Sequence, residues 1–164
     1  AFKVEGRMKS PLYVASAASI YRKAVDYYCE TRQAFHNYQV SNWKSELSLT
    51  ATRPFTSGFL DAKAEAWQDV DKADNRPRAD FCAVVKGYDD ERNMLVVEQR
   101  ANFGPGEPLE VFLPDGEVYS LGFSVLYDQD MQTIDRARHP QQIVLIPCAR
   151  KFPPNYLVRR RAAN

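Results

Sequence analysis

The stretch from Asp80 to Pro114 places the strongest constraint on how this chain folds. It holds three short apolar runs separated by segments of Gly, Pro and Asp, where turns are predicted at Gly87–Asp90 and Gly104–Pro108. The runs are Phe81–Val85, Met94–Val97 and Leu109–Leu113. Short β-branched and aromatic runs between turn residues are typical of strands joined in a meander. We therefore predict that an antiparallel sheet begins here.

Three later runs extend the same pattern. Between Tyr119 and Tyr127, large apolar residues alternate with mostly small ones, which is the period of two expected for a strand. Met131–Asp135 and Gln141–Ile146 supply two more predicted strands. Six short strands joined by short turns are typical of a small barrel that is closed or nearly closed. We predict an antiparallel β-barrel over residues 80–164.

The residues before the sheet predict helices. Ser10 can cap a helix and Pro11 suits its first turn. We expect a helix of four to five turns that fades between Cys29 and Arg32. Its predicted inward face consists of the apolar residues at helical spacing, which are Val14, Ala17, Ala18, Tyr21, Val25 and Tyr28.

Two further elements complete the predicted first region. A shorter helix over Trp43–Leu49, capped by Ser41 or Asn42, would form a helical hairpin with the first helix. A short strand over Phe2–Glu5 would precede both helices. Residues 61–79 are rich in charge and Ala, so we predict a linker there, between a region at 1–60 and the barrel. The predicted fold class is α+β.

Charge and cysteine content point to a compartment and a class of partner. The formal net charge is +1, yet no acidic residue follows Asp135. Such a basic end is typical either of a contact with a polyanion such as RNA or of a solvated tail. The chain has three cysteines and no CxxC pair, which favours free thiols and a cytoplasmic location. No apolar run approaches the ~20 residues that span a membrane.

Several motifs resemble those of the U32 peptidase family. The segment Phe2–Ser10 is similar to the family signature F-K-[IV]-E-G-R-x-K-S, and Arg53–Phe59 is similar to R-x-[FY]-T-x-G-F. The resemblance resumes at Glu98-Gln99-Arg100 and at Ala137–Gln141. One departure is Ala101, which stands where the family usually has Asn. The nearest branch is the one that hydroxylates the wobble uridine of tRNA; other members are collagenase-like proteases or serve ubiquinone synthesis.

The resemblance implies that this chain is the C-terminal accessory or substrate-recognition region of an enzyme. It implies a larger TIM-like barrel before the signature, and a small barrel like domain II of translation elongation factors at the end. The alternative is a domain that binds the peptide substrates of a collagenase-like peptidase. It also implies an iron–sulfur cluster in the whole protein, held by four upstream cysteines. Because Cys29, Cys82 and Cys148 match none of them, we expect no cofactor in this chain.

The same resemblance suggests site residues. Glu5 and Arg7 would be catalytic in the intact protein, because residues at the C-terminal end of a TIM-barrel strand face the active site. In isolation, a surface ion pair is the expected role of this pair. The predicted substrate-binding residues are Lys3, Lys9, Arg100 and Arg138, and no metal site is expected.

Two predictions concern partners. Tyr88, Phe103 or Tyr127 beside basic residues would resemble a groove where RNA bases stack, although core or rim positions explain these rings equally well. The first strand lacks a neighbour in sequence, so Phe2–Lys9 is predicted to pair abnormally, for example in a homodimer. His36 and His139 are isolated from other ligand types, which favours ordinary surface roles over a zinc site.

Overall fold

A computed structural model describes residues 3–51, 55 and 77–161. Contacts divide the chain into two compact units, Ala1–Ala79 and Asp80–Asn164. We call them the helical unit and the β unit. The predicted linker at 61–79 and the motif Arg53–Phe59 lie mostly outside the described residues. No helix of the described part is long and apolar enough to cross a lipid bilayer.

The first helix, α1, spans Pro11–Thr31, and its predicted start and end are confirmed. The Ser10 hydroxyl accepts a hydrogen bond from the Tyr13 N–H at 3.3 Å, which satisfies one of the orphan donors of the first turn. Arg32 ends the helix in a left-handed conformation with φ 56°, and its N–H donates to the Tyr28 carbonyl. Such a cap satisfies one of the last helical carbonyls.

The predicted inward face of α1 is largely wrong. The residues buried on this helix are Leu12, Ser16, Ala17, Ser19 and Ile20. Three apolar residues at a spacing of seven are exposed instead: Val14 at 41%, Tyr21 at 46% and Tyr28 at 51%. Ala17 alone of the predicted face is fully buried. The hydrophobic spacing assigned the buried face of α1 to its larger side chains, whereas the face that is buried contains Ser16 and Ser19.

The second helix, α2, spans Asn37–Ser48 and begins six residues earlier than predicted. Its start is fixed by His36, whose backbone N–H donates to the Gln39 Oε1 atom at 2.9 Å. The Phe35 ring packs edge-on against Trp43, with ring centroids 5.2 Å apart. Sequence pattern missed this start because the cap is a His, which is not one of the preferred capping residues.

The predicted strand over Phe2–Glu5 is not observed in its described part, because residues 3–6 have no regular structure. Phe2 itself lies outside the described residues. An extended segment gains strand hydrogen bonds only from a neighbouring strand, and Lys3–Gly6 has none among the described residues. Pairing with a second copy remains a prediction.

The β unit is an antiparallel sheet, as predicted. Its eight strands follow the order β4-β3-β8-β1-β2-β7-β5-β6. No ladder joins the two outer strands in the described part, so the sheet is not closed. The strands are β1 (Ala79–Asp89), β2 (Met94–Gln99), β3 (Leu109–Phe112), β4 (Val118–Leu121), β5 (Leu126–Tyr127), β6 (Thr133–Ile134), β7 (Ile143–Pro147) and β8 (Leu157–Arg161).

Strand β8 contradicts one of the two alternatives for the basic end, the solvated tail. The run Arg159–Arg161 lies in this strand, between β3 and β1 in the middle of the sheet. Val158 pairs with Val111 of β3, and both are fully buried. The side chain of Arg159 is also fully buried. A strand with a single inward Val and three consecutive arginines lacks the apolar alternation that would have predicted it.

A single core fills the β unit. Its buried members come from seven strands and from the loops that hold Phe103, Phe123, Ala137, Cys148 and Phe152, and Phe103 packs edge-on against Phe123 with centroids 6.4 Å apart. Phe103 is therefore a core residue, which excludes it as a base-stacking surface.

The predicted turn at Gly104–Pro108 is confirmed as a loop, and Gly106 adopts φ 80° there. By contrast, the turn predicted at Gly87–Asp90 begins only at Asp90, because Gly87–Asp89 belong to β1, which carries a register shift between Val85 and Gly87.

Candidate functional site

The predicted catalytic pair occupies an exposed turn just before α1. The Arg7 N–H donates to the Glu5 Oε1 atom at 3.3 Å, and the Lys9 N–H donates to the Gly6 carbonyl at 2.9 Å. A side chain at Gly6 would place its Cβ 2.7 Å from Val14 Cγ2, so glycine lets this turn approach α1 closely. The turn is thus held by local contacts and by the absence of a Cβ.

Glu5 also lines a cleft of about 220 Å³ in the helical unit. The other lining residues are mostly aromatic or apolar, and they are Lys3, Val4, Tyr13, Ala17, Tyr21, Leu47 and Phe55. The Lys3 Nζ atom lies 3.9 Å from the Glu5 carboxylate, and both side chains are largely exposed. Arg7 does not line the cleft. A solvated carboxylate without a second acid, a base or a metal offers no acid–base pair for catalysis.

The structure does not bring the predicted substrate-binding cations together. Lys3 and Lys9 belong to the helical unit, and Lys9 lies over the Tyr13 ring at 5.7 Å. Arg100 and Arg138 belong to the β unit, and each is paired with a carboxylate: Arg100 with Glu98, and Arg138 with Asp135. A cation that already has a carboxylate partner attracts a phosphate less, because the partner's charge offsets its own.

The same pairing extends through the arginine run of β8. Arg160 donates to Asp80 at 2.7 Å and also pairs with Glu107. Arg136 pairs with Glu107 as well, and Arg159 donates to Glu110 at 2.9 Å. These pairs join residues that are 29–80 positions apart in sequence. The arginines therefore tie strands and loops of the β unit together.

Glu107 is the centre of this network. Burial alone would raise the pKa of its carboxyl group, but hydrogen bonds from Arg160 and Arg136 outweigh burial and hold the pKa below the usual value of 4.5. One of its oxygens also accepts the Gly104 N–H at 3.2 Å. A Cβ at Gly104 would lie 2.7 Å from the Asp135 carbonyl oxygen, so the loop passes very close to its neighbour.

The cysteines of this chain do not fit an iron–sulfur cluster. Cys29 is exposed, whereas Cys82 and Cys148 are buried. Burial raises the pKa of the Cys82 thiol to about 12, which disfavours the thiolate that a metal requires. In residues 3–51, 55 and 77–161, no three His, Cys, Asp or Glu side chains are grouped as metal ligands. We derive no chemical step through such a cluster.

Sequence reasoning missed one site of the β unit. The Arg150 guanidinium lies over two rings, 5.2 Å from the Tyr119 centroid and 5.1 Å from the Phe152 centroid. The run Arg150-Lys151-Phe152 carries a signal for it, since two basic residues are followed directly by an aromatic one. Tyr119, however, comes from β4, 31 positions away, and only the fold brings it to Arg150.

Comparison with protein families gives two adjacent matches. Residues 1–69 match the model described as Peptidase family U32, and residues 77–159 match the one described as Peptidase family U32 C-terminal domain. Together they account for nearly the whole chain.

Individual proteins are similar over the same span. The tRNA hydroxylation protein P1 of Bacillus subtilis is 32% identical over 159 residues, which cover 96% of this chain and 37% of that protein. The tRNA hydroxylation protein P of Haemophilus influenzae is 27% identical over 165 residues, which cover 99% of this chain and 35% of that protein. The chain thus spans little more than a third of the length of these curated relatives.

One of the similar solved structures matches about half of this chain. It is the crystal structure of the C-terminal domain of a Geobacillus thermoleovorans protein assigned to the U32 peptidases, which is 35% identical. The match covers 51% of this chain and 92% of that one, with a TM-score of 0.46.

Proposed function

The chain belongs to peptidase family U32, and from that premise we propose that it is the C-terminal region of a protein that serves tRNA hydroxylation. In this role the chain recognises tRNA and presents it to a catalytic region that lies elsewhere in the whole protein. The observation that carries the proposal is the similarity to tRNA hydroxylation protein P1, which extends over 96% of the chain. Sequence similarity confined to the helical unit or to the β unit would show only that the two proteins share one domain.

The geometry supports an accessory role for this chain better than a catalytic one. Glu5 is exposed and has no acid–base partner among the described residues, and no metal ligands are grouped there. A chain with these features contributes binding and positioning, which lower the barrier by holding the substrate near the reacting groups. Any role of Glu5 and Arg7 in the reaction depends on groups from the rest of the protein.

The proposal is tested on the whole protein in cells. tRNA is isolated from cells with and without its gene, and the digested nucleosides are analysed by mass spectrometry. We expect hydroxylated uridine to be lost with the gene and restored by the full-length protein. A full-length protein without residues 77–161 is expected to accumulate but to restore little. Unchanged hydroxyuridine in the deletion strain would refute the proposal.

The alternative, peptide hydrolysis, predicts a different result from the same materials. The purified full-length protein would digest gelatin, and Glu5→Gln would abolish the digestion. We expect no digestion by either form. Digestion that depends on Glu5, together with unchanged hydroxyuridine, would assign the chain to a peptidase.

A further inference from the structure

Arg150 differs from every other cation of the β unit. Residues 80–161 hold ten Lys and Arg residues. Nine of them form ion pairs with carboxylates: Lys86, Arg92, Arg100, Arg136, Arg138, Lys151, Arg159, Arg160 and Arg161. Arg150 is exposed and has no carboxylate partner within the described part of the chain. Among the cations of residues 80–161, Arg150 therefore carries the one charge that no carboxylate offsets, and this charge is available to an anion.

The surroundings of Arg150 form a built aromatic support. The Tyr119 and Phe152 rings beneath it pack edge-on at 5.2 Å, and Phe152 in turn packs against Tyr156 at 6.1 Å. Phe152 is buried, and Tyr119 and Tyr156 are half-buried against the core. Such packing restricts the rings, so a guanidinium lying on them is held in place with little further loss of entropy on binding.

A guanidinium held in this way offers two different surfaces. The side turned away from the rings is flat and can stack with a planar group, and the N–H edges can donate to an anion. A nucleotide carries both partners, a base and a phosphate, within one residue. In single-stranded RNA the bases are free to stack on aromatic rings or on arginine planes, whereas in a duplex they are not.

The charge of the unit favours a local contact over a broad electrostatic one. Residues 80–161 contain twelve Asp and Glu against ten Lys and Arg, a formal charge of −2. A polyanion such as a duplex or an acidic protein segment gains no long-range attraction from this unit. Binding here must therefore come from stacking and from one or two direct phosphate contacts.

We propose that Arg150, supported by Tyr119 and Phe152, is a contact site for one unpaired nucleotide of an RNA, whose base stacks on the guanidinium and whose phosphate accepts its N–H groups. This site rests on the proposed function, because tRNA supplies the RNA loop. It adds a specific place in the β unit where such a loop is recognised.

The test is a fluorescence-anisotropy titration of the full chain against a labelled short oligouridylate. Arg150→Ala is expected to weaken binding by about 5- to 150-fold, which corresponds to the loss of one stacked base. It should also reduce the slope of log affinity against log salt by about 0.7, for one lost phosphate contact on a single strand. Arg150→Lys retains the charge without the plane, so we expect most of the loss in affinity to remain.

Arg92→Ala is the matched control. It also removes one arginine from an exposed position, since its side chain is 50% exposed, but this arginine is already paired with Asp89. We expect unchanged affinity for the oligouridylate. Equal weakening by Arg150→Ala and Arg92→Ala would overturn the proposal, because the loss of affinity would then follow from the change in net charge alone. Thermal unfolding of both variants checks that the fold is intact.

Two further outcomes separate this site from the proposed function. If the chain binds a tRNA transcript and Arg150→Ala binds it equally well, the site is refuted and tRNA recognition stands. If neither tRNA nor oligouridylate binds even at low salt, both fail. Displacement of the oligouridylate by a glutamate-rich peptide of equal charge would instead show that the Arg150 site binds acidic protein segments. That result would overturn the proposal.

Discussion

The two units of this chain differ in how completely each covers its own apolar surface. Nine large apolar side chains are exposed in the described residues, and Val118 alone of them belongs to the β unit. The other eight belong to the helical unit and are Val4, Met8, Val14, Tyr21, Tyr28, Phe35, Tyr38 and Phe55. All members of the buried apolar core cluster lie in the β unit. The β unit is thus self-sufficient, whereas the helical unit has apolar surface that its described residues do not cover.

The charges follow the same division. In the β unit nine of ten cations have a carboxylate partner, although the basic end of the sequence suggested unpaired charge. In residues 3–51 seven Lys and Arg stand against four Asp and Glu, and Arg7, Arg32 and Lys44 form no ion pair within the described part of the chain. The comparison shows that local charge density in a sequence does not measure the charge available on the surface, since β-sheet partners come from distant positions.

The largest expected effect tests the self-sufficiency of the β unit. Phe103→Ala removes a fully buried ring from its core, so we expect a loss of about 3–5 kcal/mol in the free energy of unfolding. Tyr38→Ala removes a ring that is 65% exposed in the helical unit and should cost no more than about 0.5 kcal/mol. Urea unfolding followed by circular dichroism measures both. Similar losses of unfolding free energy in the two variants would contradict the difference drawn between the β unit and the helical unit.

A second prediction concerns the Glu107 network and its pH dependence. Glu107→Gln removes the charge that accepts from Arg136 and Arg160, and we expect a loss of about 2 kcal/mol at neutral pH. The pKa of Glu107 is lower in the folded state than in the unfolded state. The unfolded state therefore binds its proton first, and this part of the stability is present above about pH 4.5 and disappears as the pH falls through the folded pKa.

Urea titrations between neutral pH and pH 3 check this dependence. Wild-type stability should fall more steeply below pH 4.5 than that of Glu107→Gln, because the variant has no proton to bind at this position. The remaining slope in the variant comes from other carboxylates with lowered pKa values, such as Asp89 and Asp135, which accept hydrogen bonds from Arg92 and Arg138. Parallel curves for the two proteins would contradict the role given to Glu107.

The fold and the site were predictable to different degrees from the sequence. The early strands were predictable because apolar runs and turn residues are local signals. Strand β8 was not, because Arg159 and Arg160 are stabilised by Glu110 and Asp80, which lie 49 and 80 positions away. The buried face of α1 was missed because Ser16 and Ser19 rank below Val14 and Tyr21 in hydrophobicity. The Arg150 site depends on Tyr119, which only the sheet brings near.

The smallest expected effect tests a single hydrogen bond of the β unit. The Tyr88 hydroxyl donates to the Cys148 carbonyl at 2.7 Å, which ties β1 to the residue after β7. Tyr88→Phe should cost about 1 kcal/mol of unfolding free energy, the usual net value of one such bond. Tyr28→Phe, an exposed tyrosine of the helical unit, is the matched control and should have no measurable effect. Equal stability of both variants would show that this bond contributes nothing.

The account rests on the claim that this chain itself contacts tRNA, and equilibrium binding tests it most directly. Unmodified tRNA transcript is titrated with the full chain in a mobility-shift assay at about 0.05 M and about 0.2 M salt, where contacts to phosphates differ most in strength. We predict a complex at the lower salt that weakens at the higher one and is reduced by Arg150→Ala. The absence of any complex at the lower salt would contradict the account.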